Sequence, residues 1–209
     1  FKSSDLHTRD SRTFHMDCNM LKQWHKTLFD GILDDAGEFR IDGRQTTTMS
    51  GCRHVFPHHT IVKKSLSNLC LLLNDCRREV MSKYQENQNR VLYSFALAAF
   101  AQFHFVDIHP FSDGNGRMCR LMSKRFVDWV CPVPFPQFTV SRDIYLRTVN
   151  ECRWEQPDNT PRPLLVLLLD AAIQHYRRLL QDLTQQSVIV MCACSEEELT
   201  QMCKEHELP

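Results

Sequence analysis

The run His109-Pro-Phe-Ser-Asp-Gly-Asn-Gly-Arg-Met-Cys-Arg120 decides how the rest of the chain is read. Glycine is scarce, six residues in 209, yet Gly114 and Gly116 stand two apart where a helix is predicted to open. Small residues there leave backbone N–H groups uncovered, and uncovered amides at a helix N-terminus hold phosphate. Arg117 and Arg120 follow at i and i+3 on one helical face, so two guanidinium forks can reach a single oligophosphate. Asp113 offers the hard oxygen that Mg²⁺, or Mn²⁺ in its place, takes alongside substrate phosphates. His109 is the one nearby group whose ordinary pKa suits proton abstraction near neutrality. Pro110 stiffens the turn, Phe111 is expected to anchor it in the core, and Cys119 faces away from the two arginines. Asp-Gly-Asn-Gly alone is an ordinary turn string, and a lone His after a helix is usually structural. The two arginines tip the reading toward a phosphate site.

Helical spacing spreads outward from this run. Val91 to Val106 is apolar nearly all round, with Asn87 and Asn89 as N-cap candidates, and should be a central buried helix. After the break at His109 to Asn115, a second helix is predicted from Gly116 to about Trp129, ended by Cys131-Pro-Val-Pro-Phe-Pro. Amphipathic helices are expected at Phe14 to Phe29, Ile61 to Leu73, Asp143 to Cys152 and Pro163 to Leu183. Arg40 to Val55, with Thr46-Thr47-Thr48 and flanking glycines, reads as a β-hairpin. The fold class is therefore all-α: a helical bundle around the helix pair that carries the motif, with a small β-hairpin. Residues 1–13 are taken as a flexible N-terminal segment, 14–185 as one domain, and 186–209 as a tail with a short helix near Ser195 to His206.

Composition limits the partners. Lys+Arg and Asp+Glu both number 25, so no overall field draws the chain to nucleic acid or an anionic membrane, and anion binding must be local. The apolar block Leu164 to Leu169 is far short of the roughly 20 residues that span a bilayer. Phe1 in place of Met reads as a cut or processed end. Ten cysteines without a C-x-x-C pair argue against a zinc knuckle or a disulfide framework and favour reduced thiols in a cytoplasmic setting. His54, His58 and His59 near Cys52 do not have a recognised ligand spacing.

The central run resembles the Fic-family signature, H-x-F-x-D/E-G-N-G-R-x-x-R, at every specified position; eight fixed positions match by accident at roughly 10⁻¹⁰ per start site. Ala36-Gly-Glu-Phe-Arg40 and the hairpin after it are similar to the family's region around its target-docking flap. Asp143-Ile-Tyr145 and Pro161-Arg-Pro163-Leu look like the segment that closes the base pocket, although Arg153-Trp-Glu-Gln-Pro157 breaks the usual spacing and leaves base identity open. The likeness covers about residues 15 to 185. It implies the Fic fold and a protein adenylyltransferase that moves AMP from ATP onto a Ser, Thr or Tyr hydroxyl of a target protein, and of itself, with release of pyrophosphate.

In that scheme His109 is the base, Asp113 holds the metal, and Gly114, Asn115 and Gly116 cradle the phosphates, with the Asn115 side chain as a donor. Arg117 and Arg120 neutralise pyrophosphate, and Tyr145 neighbours the adenine. The flap from Thr46 to Val55, with Thr48, Ser50, Cys52, His54 and Val55, docks the target as an added strand. A restraining Ser/Thr-x-x-x-Glu-Gly/Asn helix is not found in the sequence, since Ser195-Glu-Glu-Glu-Leu199 has its acids out of register, and the chain is expected to be active. Alternatives are transfer of phosphate, UMP or phosphocholine, removal of AMP, and a non-catalytic nucleotide- or protein-binding module; phosphate transfer fits less well because Gly116 stands where those relatives carry Lys. The oligomeric state stays open, a homodimer included.

Overall fold

The structure is a computed structural model that describes residues 15–47, 51, 53–83, 87–128, 130, 140–154 and 160–193. Among them six helices surround one two-stranded hairpin: α1 (Cys18–Phe29), β1 (Gln45–Thr47), β2 (Arg53–Val55), α2 (His59–Lys83), α3 (Asn87–Ile108), α4 (Asn115–Asp128), α5 (Arg142–Trp154) and α6 (Arg162–Ala193). The all-α class with a small hairpin is what the sequence led us to expect.

Helix α3 is the axis, packed against α2, α4 and α6. Its Ala98, Ala99 and Ala101 let neighbours come close, while Phe95, Phe103 and Phe105 fill the space between them. Its Asn89–Ile108 stretch is long and apolar enough to cross a bilayer, which counting the longest unbroken apolar block did not reveal. More than half of that stretch is buried inside the protein, as in the core helix of a bundle. Helix α4 buries Met118, Met122 and Phe126 at i, i+4 and i+8, each worth about 1.5–3 kcal/mol in removed apolar surface.

Several boundaries differ from the predicted ones for local reasons. Helix α1 opens at Cys18, not Phe14, because the Asp17 carboxylate caps it by accepting the Met20 N–H at 2.8 Å. Helix α2 continues past Leu73 to Lys83 because buried Asn74 and Arg77 carry its inward face where the apolar pattern lapses. Asn74 also clamps the backbone of Met16, accepting its N–H at 2.9 Å and donating to its carbonyl at 2.8 Å. Helix α4 starts one residue early, at Asn115. Helix α6 runs unbroken through position 185 to Ala193. In the hairpin, among the described residues, three per strand pair: Gln45 with Val55, Thr46 with His54 and Thr47 with Arg53. The segments expected at 1–13, at the proline run after Cys131 and at Ser195 to His206 lie outside the described residues.

Candidate active site

The site is assembled where α3 stops. The His109 N–H closes the last turn onto the Phe105 carbonyl at 3.0 Å, and His109 itself takes the left-handed conformation, φ +51°. That conformation is uncommon outside glycine, so something must hold it. Arg40 does. It is 4% exposed, and its guanidinium donates to the carbonyls of His109 at 2.6 Å, Asp42 at 2.5 Å and Pro57 at 2.5 Å. Its own backbone N–H reaches the Pro110 carbonyl at 3.0 Å. One buried side chain thus ties the end of α3 to both roots of the hairpin.

The His109 imidazole is fixed on two sides. Nδ1 lies 3.3 Å from the Val106 carbonyl, which can only accept, so Nδ1 carries the proton and Nε2 keeps its lone pair. Phe56 stacks on the ring at 4.0 Å and 18°. Burial lowers the pKa of His109 to about 4; the Val106 bond opposes this, while the positive charges of Arg40, Arg153 and Arg44 add to it. The ring is a neutral base at ordinary pH.

The loop that follows is braced from α1. Phe111 is fully buried and stacks on His25 at 3.8 Å and 11°, with Phe39 and Phe105 beside it. His25 Nδ1 accepts the Gly37 N–H at 2.8 Å, so its Nε2 carries the proton and donates to the Asp113 carbonyl at 3.2 Å. Gly114 has φ +76°, and a Cβ there would collide with Phe29. Gly116 faces open space but for the Arg120 Nη1, 3.5 Å from where its Cβ would be. The arrangement sets the Arg120 guanidinium beside the first amides of α4.

Other predicted residues sit differently. The Asn115 side chain accepts the Phe111 N–H at 3.0 Å and donates to the Phe111 carbonyl at 2.8 Å, so it braces the loop instead of offering a donor to phosphate. Arg117 is exposed, with its guanidinium 4.3 Å above the Phe29 ring. Tyr145 is 8% exposed and belongs to the core, its hydroxyl 3.7 Å from the Sγ of buried Cys119; it does not line an open base pocket. Burial raises its pKa well above the usual phenol value.

In the flap, Val55 faces outward at 62% exposure, whereas His54 turns inward to Phe56 and Asp107, because alternate residues of a strand face opposite ways. His54 is therefore not on the docking face. Thr48, Ser50 and Cys52 lie outside the described residues. Asp113 is exposed, and its Oδ1 accepts the Gly114 N–H at 2.6 Å, which leaves the rest of the carboxylate open to a cation. Among the described residues no three His, Cys, Asp or Glu side chains gather as a ready-made metal cage. Such an exposed single carboxylate fits Mg²⁺ that is shared with substrate phosphates.

Sequence reasoning missed the roles of His25, Phe29, Phe56 and Asp107, and met Arg40 and Arg153 only as parts of strings. Decisive partners of these residues are distant in sequence, with Gly37 and Asp113 12 and 88 residues from His25 and Arg153 46 residues from Asp107, so no local spacing marks them. Arg153 donates through Nε to Asp107 at 2.8 Å, and a cavity of about 230 Å³ is lined by His54, Phe103, His104, Asp107, Arg153 and Trp154.

The Fic/DOC family model matches residues 15–127. A Fido domain-containing protein of Dictyostelium discoideum is 25% identical over 155 residues, which make up 73% of this chain and 97% of that protein. A Fic family protein from Desulfovibrio desulfuricans has a similar solved structure, with a TM-score of 0.58 at 22% identity over 79% of this chain. The match covers 47% of that structure, so this chain spans about half its length. The BepC protein of Bartonella tribocorum, solved with bound AMPPNP, matches with a TM-score of 0.52 at 18% identity, over 71% of this chain and 72% of that one. At these identities the structural likenesses establish the fold.

Proposed function

The chain belongs to the Fic/DOC family, and from that membership and the geometry of residues 109–120 we propose that it is a protein adenylyltransferase, moving AMP from ATP to a Ser, Thr or Tyr hydroxyl of a target protein. The observation that carries the reading is His109, neutral, with Nδ1 pinned to Val106 and Nε2 left as the acceptor. Nε2 takes the hydroxyl proton as that oxygen attacks the α-phosphorus of ATP; the bond to the β-phosphate bridge oxygen breaks, and pyrophosphate leaves with the electron pair. The N-terminal end of α4 at Gly116 and the Arg120 guanidinium stabilise the charge that develops on the departing phosphates. Arg117 joins them by leaving Phe29.

Asp113 would hold Mg²⁺, which when bound supplies charge neutralisation to the phosphates. Asn115, His25 and Arg40 do not touch substrate in this scheme; they hold the loop in the shape that presents those groups. ATP as the donor is supported by the AMPPNP-bound BepC neighbour. The outward face of the hairpin, with Val55, receives the target as an added strand.

Intact-mass spectrometry of the protein and of candidate targets after incubation with ATP and Mg²⁺ tests the proposal. A gain of one AMP is expected, and His109→Ala should lose it by about 10²- to 10⁴-fold while still binding nucleotide. A gain only with UTP, GTP or CDP-choline would reassign the donor. ATP binding with no transfer from any donor would mark a binding module.

A further inference from the structure

Asp107 lies two residues before His109 and outside the motif, yet three elements meet on it. Its Oδ1 accepts from Arg153 Nε of α5 at 2.8 Å. His54 Nε2 of β2 stands 3.2 Å from the same oxygen, packed against it but off the hydrogen-bond line. The Arg153 side chain is 8% exposed; its Nη1 donates to Asn150 at 3.2 Å, and among the described residues Asp107 is the carboxylate that compensates this nearly buried guanidinium.

Both residues that meet Asp107 also touch Phe56. His54 meets that ring edge-on at 4.9 Å, and Arg153 lies 5.8 Å from its centroid. Phe56 in turn stacks on His109. The backbone around Phe56 is fixed separately, by its N–H to the Arg44 carbonyl at 3.0 Å and by Arg40 on Pro57. What that backbone leaves open is the tilt of the ring, and His54 and Arg153 are two side chains that lie against it.

We propose that Asp107 is a positioning residue for His109: through His54 and Arg153 it seats Phe56 against the imidazole and so sets the plane in which Nε2 meets the target hydroxyl. The inference rests on the transfer reading for its effect on rate, but its structural half stands without it. A ring stacked at 4.0 Å shifts the His109 carbon-bound proton resonances by ring current, and this signal requires neither ATP nor a target.

The test measures those resonances, assigned by their loss in His109→Ala, in the wild type, Asp107→Ala and Asp107→Asn, together with kcat, KM for ATP and thermal unfolding. In Asp107→Ala the ring-current shift is expected to shrink and kcat to fall roughly tenfold or more, with KM for ATP unchanged, since a small misplacement of a reacting group costs that much. Asp107→Asn keeps an acceptor for Arg153 and should recover part of both signals; it also carries the test if the alanine variant does not fold. In a Phe56→Leu background Asp107→Ala should lower kcat little further, because the path through Phe56 is already cut. Unchanged His109 resonances in both Asp107 variants, or a full loss of kcat in the Phe56→Leu background, would overturn the proposal. Altered resonances with no transfer activity in any variant would leave the positioning intact and reject the transfer reading instead.

Discussion

His109 is a base because of where it is buried, and that makes its pH behaviour testable. With its pKa lowered to about 4, it is neutral from there upward and becomes protonated only as pH falls through that value. The acid limb of kcat/KM, which reports the free enzyme, should therefore have its midpoint near pH 4, well below the 6.5 of an ordinary imidazole. A pH–rate profile from 3.5 to 8 decides it, and a midpoint near 6.5 would mean that the ring is solvated in solution. The two glycines of the motif separate in the same way. Gly114→Ala combines φ +76° with a collision against Phe29 and should cost about 2–3 kcal/mol, whereas Gly116→Ala meets only the end of Arg120 and should stay within about 0.5 kcal/mol. Urea midpoints of the two variants give the comparison; equal losses would contradict the packing of Gly114 on α1. The residue types of the motif, including the anchor role of Phe111, were legible in sequence because they are contiguous. Asn115 and Tyr145 were not, because an amide or a phenol shows its role only when its partner is seen: the Phe111 backbone for one, Cys119 for the other.

Helix α1 contributes no group to the proposed chemistry, yet it shapes the motif loop through Leu21, His25 and Phe29 on one buried face. His25 alone gives that loop a stacked ring for Phe111, a donor for the Asp113 carbonyl and an acceptor for the Gly37 N–H. His25→Ala leaves a cavity and an unpaired amide, and should destabilise by about 2–4 kcal/mol with an unchanged denaturant slope. His25→Phe restores the stack but neither hydrogen bond and should recover only part of that loss; complete recovery would show that the ring matters and its nitrogens do not. At this scale the helix pair α3–α4 was readable because its apolar spacing matches a helix buried on most sides. The reach of α2 was not, because Asn74 and Arg77 are polar residues on a buried face, and only the Met16 backbone bound to Asn74 explains why one of them is there. The hairpin was foreseen as extended from Arg40 to Val55; among the described residues three per strand pair, and Arg40 fixes its roots by reaching the carbonyls of His109, Asp42 and Pro57.

Across the whole molecule, four histidines among the described residues, His25, His54, His104 and His109, have pKa values lowered chiefly by burial. This was invisible in a balanced sequence whose formal net charge is zero, since it depends on which imidazoles lose their water. It also sets how the protein responds to acid. Below pH 6.5 the unfolded chain takes up protons on these side chains while the native state resists until its lower values are passed, so the unfolded state binds more protons and stability falls with pH. The share contributed by His109 is fully present above about pH 6.5 and is lost as pH drops toward 4, up to about 3 kcal/mol across that interval; the other three add in the same direction. The same desolvation that keeps the base neutral thus makes the protein acid-labile, and the two properties should separate in a variant. Urea unfolding at pH 7 and pH 5 should give a clearly lower midpoint at pH 5. In His109→Gln the dependence should be shallower by one proton, about 1.4 kcal/mol per pH unit at most between the two pKa values. Equal midpoints at the two pH values would show that these imidazoles are hydrated in the native state, and with that the argument for a neutral His109 would lose its physical basis.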